Sequence, residues 1–203
     1  MAILVTGGAR SGKSAFAEQL ASRLAEEGVY IATSQAFDKE MAARIGKHRA
    51  DRASAAFPWT TVEEPIELVR ELNRLAQTFG TEQRESGCIP PVVLVDCLTL
   101  WLTNVLLLEE QKKEQQSDWI DGEWLNGQIA SLVEAVKQYP YPLVLVTNEV
   151  GDGIVPSYPL GRRFRDEAGR LHQAIAADCD RVFLVTAGIP VELKAIAFRW
   201  DDL

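Results

Sequence analysis

The sequence predicts an α/β fold, a mostly parallel sheet flanked by helices. Three observations lead there. Short apolar segments rich in β-branched residues recur at 2–6, 29–33, 92–96, 143–147 and 182–186, as strands buried on both faces require. Longer segments of helical character separate them, at 13–27, 38–51, 65–79, 97–110, 118–138 and 160–177, and such alternation builds parallel sheets. The first strand also runs straight into a glycine loop, Gly7-Gly8-Ala9-Arg10-Ser11-Gly12-Lys13-Ser14, with a helical segment from Ala15 to Ala21 behind it.

That loop fits G-x-x-x-x-G-K-[ST], the phosphate-binding P-loop, and makes the predicted fold P-loop NTPase-like. Ile3-Leu4-Val5-Thr6 reads as the strand before it. Strand, loop and helix start together form an anion site, because backbone N–H groups point inward and the helix dipole adds positive charge. In such a loop Lys13 reaches the β- and γ-phosphates, and the Ser14 hydroxyl ligates Mg²⁺. A chance glycine turn would not bring its own strand and helix.

The next segments carry the charged candidates. The helix over 38–51 holds His48, with Arg44, Lys47, Arg49 and, one residue past its end, Arg52 flanking it. On a helix Arg44 and Arg52 share the face of His48 at i−4 and i+4. These cations suit a nucleotide phosphate, and they would keep the imidazole neutral and nucleophilic. Read from this segment alone, an exposed histidine in a charged face is the simpler account. Pro65 sits near the start of the helix over 65–79, where proline is tolerated. Residues 80–91 read as a polar loop. Asp96 ends the apolar run Val92-Val93-Leu94-Val95, and two roles stand open for it. One is support of Mg²⁺, directly or through water; the other is capping of the following helix.

Residues 109–117 are charge-rich and read as a solvated face. The loop after the fourth strand is Thr147-Asn148-Glu149-Val150-Gly151-Asp152-Gly153-Ile154-Val155-Pro156. Loops at the carboxyl ends of strands line the ligand crevice of open α/β sheets, so substrate approach and a plain glycine turn are both open here. Arg162, Arg163 and Arg165 follow, with phosphates or acidic neighbours as partners. His172, on the helix over 160–177, reads as a packing or surface residue and receives no catalytic role.

Composition narrows the function. With 203 residues the chain suits one α/β domain and is short for two. A net charge of −8 argues against a general nucleic-acid surface. The three cysteines, Cys88, Cys97 and Cys179, match no zinc spacing and suit a reducing compartment. The first residues read as a strand rather than a signal peptide, and no apolar run approaches the ~20 residues of a membrane span. A cytoplasmic protein is expected.

Absences narrow it further. A switch GTPase needs Asp-x-x-Gly at the second element, yet Asp96 is followed by Cys97, Leu98 and Thr99. Its guanine motif is Asn-Lys-x-Asp, whereas the chain has Thr147-Asn148-Glu149-Val150. A simple small-molecule kinase and a nucleotide-binding assembly module without turnover stay open as rival readings.

Taken together the motifs resemble the bifunctional adenosylcobinamide kinase / adenosylcobinamide-phosphate guanylyltransferase family of cobalamin biosynthesis. The matching pieces are Ile3 to Ser14, Tyr30 to Gln35, Glu40 to Ile45, His48 to Arg52 and Trp59 to Pro65. They continue with Asp96 to Asn104, Thr147 to Gly151, Gly153 to Pro156, Arg163 to Asp166 and Gly169-Arg170. The resemblance runs from the N-terminus to about Lys194. It implies that His48, in H-x-x-x-R with Arg52, is the guanylylated residue, which reverses the reading from its segment alone. It implies nucleotide contacts at Gly7, Gly8, Ala9, Arg10, Ser11, Gly12, Lys13, Ser14, Thr33, Ser34, Gln35, Arg49, Ala50, Asp51, Arg52, Glu63 and Asp96. It also implies Mg²⁺ at Ser14 and Asp96, with GTP, ATP and adenosylcobinamide as substrates. A large flat corrinoid favours an exposed apolar-walled cleft, which a homo-oligomer could form between subunits.

Three features depart from the family pattern. The region 109–125 is expanded, His172 stands where the family often has Asn, and the tail after about 194 extends past the usual end. The expectation is a single P-loop nucleotide-binding domain over 1–203 with that C-terminal extension.

Overall fold

The computed structural model describes residues 1–35, 46, 50, 56–115 and 122–199. Seven strands form one sheet: β1 (Ala2–Thr6), β2 (Gly28–Ala32), β3 (Trp59–Glu63), β4 (Val92–Asp96), β5 (Leu143–Val146), β6 (Arg181–Thr186) and β7 (Ile189–Glu192). Their spatial order is β3-β2-β4-β5-β1-β6-β7. Every pairing is parallel except β6 with β7. The described helices flanking them are α1 (Lys13–Ala21), α2 (Leu68–Ser86), α3 (Leu98–Gln115), α4 (Glu123–Gln138), α5 (Pro159–Asp178) and the short α6 (Leu193–Ile196).

Strand alternation divides the core. Ile3, Val5, Tyr30, Ala32, Leu94, Val144 and Val146 point to one face, where Ala17 and Ala21 of α1 cover them. Leu4, Ile31, Val93, Val95, Leu143 and Leu145 point to the other. There they meet Leu72 of α2, Trp101 and Leu102 of α3, Leu132 of α4 and Leu171 of α5. Continuous apolar strands follow from cover on both sides. Each such buried Leu or Val stabilises the fold by about 1.5–3 kcal/mol before entropy is counted.

The helix limits differ from the sequence expectations for local reasons. Helix α1 stops at Ala21, well before 27, because the chain tightens into 3₁₀-type bonds, Arg23 N–H to Leu20 O and Leu24 N–H to Ala21 O. Helix α2 begins at Leu68 rather than 65, because the Glu64 carboxylate accepts from the backbone N–H groups of Ile66 and Glu67 at 3.1 and 2.8 Å. It also runs on through the expected polar loop 80–91 as far as Ser86, where Gly87 takes a left-handed conformation at φ 71° and ends it. Helix α3 reaches Gln115, so the start of the expected solvated stretch is helical. Glu109 in that stretch is buried, not solvated: it pairs with Arg163 of α5 and accepts from the Leu125 N–H of α4 at 3.3 Å. One carboxylate thus ties three helices together. The expected helix over 38–51 falls largely outside the described residues, although Gly46 and Ala50 are helical and exposed.

Two edge strands, β3 and β7, were not expected from the sequence. The antiparallel β6–β7 hairpin turns through Ala187 and Gly188, both at positive φ (52° and 79°). That turn returns to the glycine loop, with the Gly188 N–H donating to Ser11 O at 2.8 Å.

Candidate functional site

The site lies at the carboxyl edge of the parallel strands, where β1 feeds α1. Gly12, at φ 95°, is the residue before the helix, and Lys13 is its first residue. The loop is packed closely enough to dictate Gly7 but not Gly8. A Cβ on Gly7 would lie 2.4 Å from Val185 O, whereas one on Gly8 meets nothing within 4 Å. Lys13 is buried, and its ammonium donates to Gly8 O at 3.2 Å across the loop. Ser11 Oγ is buried with no hydrogen-bond partner among the described residues, a donor that suits a phosphate oxygen. Ala9 and Arg10 are exposed at the tip, and Ser14 is half-buried on the first turn of α1.

Asp96 reaches the same face of the sheet. It is level with Val146 of β5, which is level with Val5 of β1. Val5 and Val146 both point toward α1, so the pleat sends the Asp96 side chain to the α1 side as well. Strand β5 lies between β1 and β4, which sets Asp96 about 10 Å across from the end of β1 at ~4.8 Å per strand. The Tyr30 hydroxyl donates to Asp96 Oδ2 at 2.9 Å. Burial pushes the Cys97 thiol up to about 11, with the Asp96 charge adding to the rise and Lys13 opposing it. Cys97 is therefore held as the neutral thiol at neutral pH.

The end of β2 is fastened to the same place. Thr33 is fully buried. Its N–H donates to Asp96 O at 3.2 Å, its hydroxyl donates to Cys97 O at 2.7 Å, and the Cys97 N–H donates back to that hydroxyl at 2.8 Å. The Asn104 amide donates to Thr33 O and Pro65 O at 2.8 and 3.0 Å. The Thr33 side chain is thus committed to structure, while Ser34 and Gln35 are half-buried just beyond it. Glu63 is exposed at the end of β3, level with Ala32 of β2. Ala50 is an exposed helical residue; His48, Arg49, Asp51 and Arg52 lie outside the described residues.

The loop after β5 bridges the two halves of the site. Thr147 and Glu149 donate their N–H groups to Val5 O and Gly7 O at 2.9 and 3.0 Å. The Asn148 amide donates to Thr99 Oγ1 at 2.7 Å, and Thr147 Oγ1 lies 2.6 Å from His172 Nε2. Arg165 holds Gly151 O from α5. Of the arginines left open by the sequence, Arg163 pairs with Glu109 and Glu110, and Arg162 binds the carbonyls of Pro156 and Ser157. Tyr30, Asn104 and the bonded state of His172 escaped the sequence reading, since each depends on contacts between distant segments.

The donor set fits Mg²⁺. Asp96 and the Ser14 hydroxyl offer hard oxygen donors, and Mg²⁺ in nucleotide sites takes one or two carboxylates plus phosphate and water rather than an all-protein cage.

A glycine loop closed by a buried lysine, with a strand-end carboxylate on the same sheet face, defines a P-loop nucleotide-binding protein. A solved structure of the assembled ATPase EscN from the enteropathogenic E. coli type III secretion system shares this fold, with a TM-score of 0.56 at 12% identity, over 92% of this chain and 43% of that one. The sequence model of the cobinamide kinase / cobinamide phosphate guanyltransferase family matches residues 3–193. The bifunctional adenosylcobalamin biosynthesis protein CobP of Pseudomonas aeruginosa is 44% identical over 191 residues, 94% of this chain and 96% of that protein. Its counterpart CobU of Escherichia coli is 43% identical over 197 residues, 96% of this chain and all of that protein. The chain belongs to the cobinamide kinase / cobinamide phosphate guanyltransferase family and is a bifunctional enzyme.

Proposed function

We propose that the enzyme phosphorylates adenosylcobinamide with ATP or GTP, then transfers GMP from GTP through a guanylylated His48 to give adenosylcobinamide-GDP. The observation that carries the phosphoryl step is the placement of Lys13 and Asp96 on one face of the sheet. The resemblance of His48-Arg49-Ala50-Asp51-Arg52 to the guanylylated segment of the family carries the second step.

In the first reaction the terminal hydroxyl of the aminopropanol arm forms a bond to the γ-phosphorus. The bond to the bridging oxygen breaks, the nucleoside diphosphate leaves with the electron pair, and the hydroxyl proton is released to water. Such transfers need positioning and charge stabilisation more than covalent help. Loop N–H groups and Lys13 supply both. Mg²⁺, held by Ser14 and Asp96, would neutralise phosphate charge.

In the second reaction the neutral imidazole of His48 attacks the α-phosphorus of GTP, and pyrophosphate leaves. A phosphate oxygen of adenosylcobinamide phosphate then attacks the same phosphorus, and the P–N bond breaks. Covalent catalysis divides one difficult displacement into two easier ones. Imidazole suits it, being nucleophilic when neutral and a good leaving group when protonated.

On this reading residues 1–203 form one nucleotide-binding domain with an extension after about 194, and the enzyme works in the cytoplasm. Among the described residues no helix is long and apolar enough to cross a membrane. A homo-oligomer with a corrinoid cleft between subunits belongs to the same proposal. The test is incubation with α-labelled GTP, followed by digestion and peptide mapping. An acid-labile GMP adduct on the peptide containing His48 supports the reading. Corrinoid phosphorylation with no adduct would leave a simple kinase.

A further inference from the structure

We infer that Tyr30 is a positioning residue for the nucleotide-bound metal, acting through Asp96. The inference rests on the reading of Asp96 as metal support. Tyr30 stands in β2 opposite Leu94 of β4. Asp96 is two residues further along β4 and on the same face, so it is the diagonal neighbour that a long aromatic side chain reaches. The phenol donates to Asp96 Oδ2 at 2.9 Å, and the Tyr30 side chain is buried at 4% exposure.

The aim of the phenol is fixed from behind. Its ring meets Trp59 edge-on at 5.8 Å and 89°, and Trp59 meets Phe57 at 4.8 Å. Gly28 makes room for this shelf, because a Cβ there would lie 2.5 Å from the Trp59 ring. The backbone of Asp96 is secured from the same strand end, by the Thr33 N–H on Asp96 O. So the end of β2 and its extension hold both the main chain and the carboxylate of Asp96. With Oδ2 engaged by Tyr30, the Asp96 carboxylate is restrained, and Asp96 would offer a bound ion its remaining oxygen lone pairs. Hydrogen bonds to the groups that ligate a metal commonly change its affinity 10–100-fold, because they fix ligand direction before the ion arrives.

The experiment uses the full chain saturated with GDP and titrates Mn²⁺ by electron paramagnetic resonance. Tyr30→Phe removes one oxygen and keeps the ring on its shelf, so the melt should stay within a few degrees of wild type. The expected result is a roughly 10-fold rise in the Mn²⁺ Kd, with GDP affinity in EDTA unchanged. Asp96→Asn should weaken Mn²⁺ at least as much. Adding Tyr30→Phe to Asp96→Asn should cost nothing further, since both act through one carboxylate. Wild-type Mn²⁺ affinity in Tyr30→Phe beside a weakened Asp96→Asn overturns the positioning role and leaves the Asp96 reading intact. Unchanged affinity in Asp96→Asn overturns both. An equal loss from Tyr30→Phe in the Asp96→Asn background shows that the phenol acts elsewhere, and also overturns the proposal.

Discussion

Thr147 Oγ1 lies 2.6 Å from His172 Nε2, and this contact joins the loop after β5 to helix α5. Burial lowers the His172 pKa below its ordinary 6.5, and the Glu149 charge only partly opposes that. The native imidazole is therefore neutral while the unfolded one still takes up a proton. Between the native pKa and 6.5 the unfolded state binds more protons, so stability rises with pH there. The contribution is complete above 6.5 and is lost as pH falls through the native value. The expected outcome is a melting temperature that drops less for His172→Gln than for wild type on acidification from about pH 6.5 to pH 5. Parallel pH curves for the two proteins would mean that His172 carries none of the acid sensitivity.

Asn104 bridges the ends of β2 and the segment leading into α2, donating to Thr33 O and Pro65 O. Asn104→Ala leaves two buried or half-buried carbonyls without that donor. The cost should be about 2–6 kcal/mol, at 1–3 kcal/mol per unsatisfied group. Urea unfolding reads it as a lower midpoint with an unchanged slope. A midpoint equal to wild type would show that water replaces the amide freely.

Gly7 and Gly8 should respond differently to the same substitution. Gly7→Ala drives a methyl to 2.4 Å from Val185 O, so the backbone must move. A loss of about 1–3 kcal/mol is expected from such overpacking, together with nucleotide binding weakened by an order of magnitude or more. Gly8→Ala meets nothing within 4 Å and should melt like wild type. Equal melting temperatures for the two variants would contradict the packing account of the loop.

Much of this architecture is written locally. The P-loop is a contiguous pattern, the strands β1, β2, β4 and β5 are apolar runs buried on both faces, and β6 has an apolar centre that is partly buried, so all are legible without tertiary information. The two strands that escaped are edges. Trp59-Thr60-Thr61-Val62-Glu63 has only two half-buried residues, Trp59 and Val62, among exposed ones and holds no apolar run. Ile189-Pro190-Val191-Glu192 carries a proline and is almost wholly exposed, and its turn uses Ala187-Gly188 rather than a stronger Asn-Gly signal. In the site, Asp96 was legible as a carboxylate ending a strand. Its partner Tyr30 was not, because the contact requires the β2–β4 register. The same holds for Thr147 with His172, and for Glu109, whose charge suggested solvent until α5 supplied Arg163.

Lys13 is buried at 7% exposure, yet its ammonium faces the loop through Gly8 O rather than an apolar core. Lys13→Ala should therefore melt within a few degrees of wild type. Corrinoid phosphorylation should fall roughly 10²–10³-fold, the usual loss for one preorganised charge-stabilising donor. Phosphorylation near the wild-type rate would remove Lys13 from the mechanism.

The central claim is that one nucleotide site serves two reactions and that only the second needs a covalent histidine. His48→Ala and His172→Ala, each incubated with α-labelled GTP and mapped after digestion, test it most directly when corrinoid phosphorylation is assayed in parallel. The account predicts no GMP adduct and no guanylyl transfer in His48→Ala, with substantial kinase activity remaining, and an adduct still present in His172→Ala. A GMP adduct retained in His48→Ala and lost in His172→Ala would contradict it.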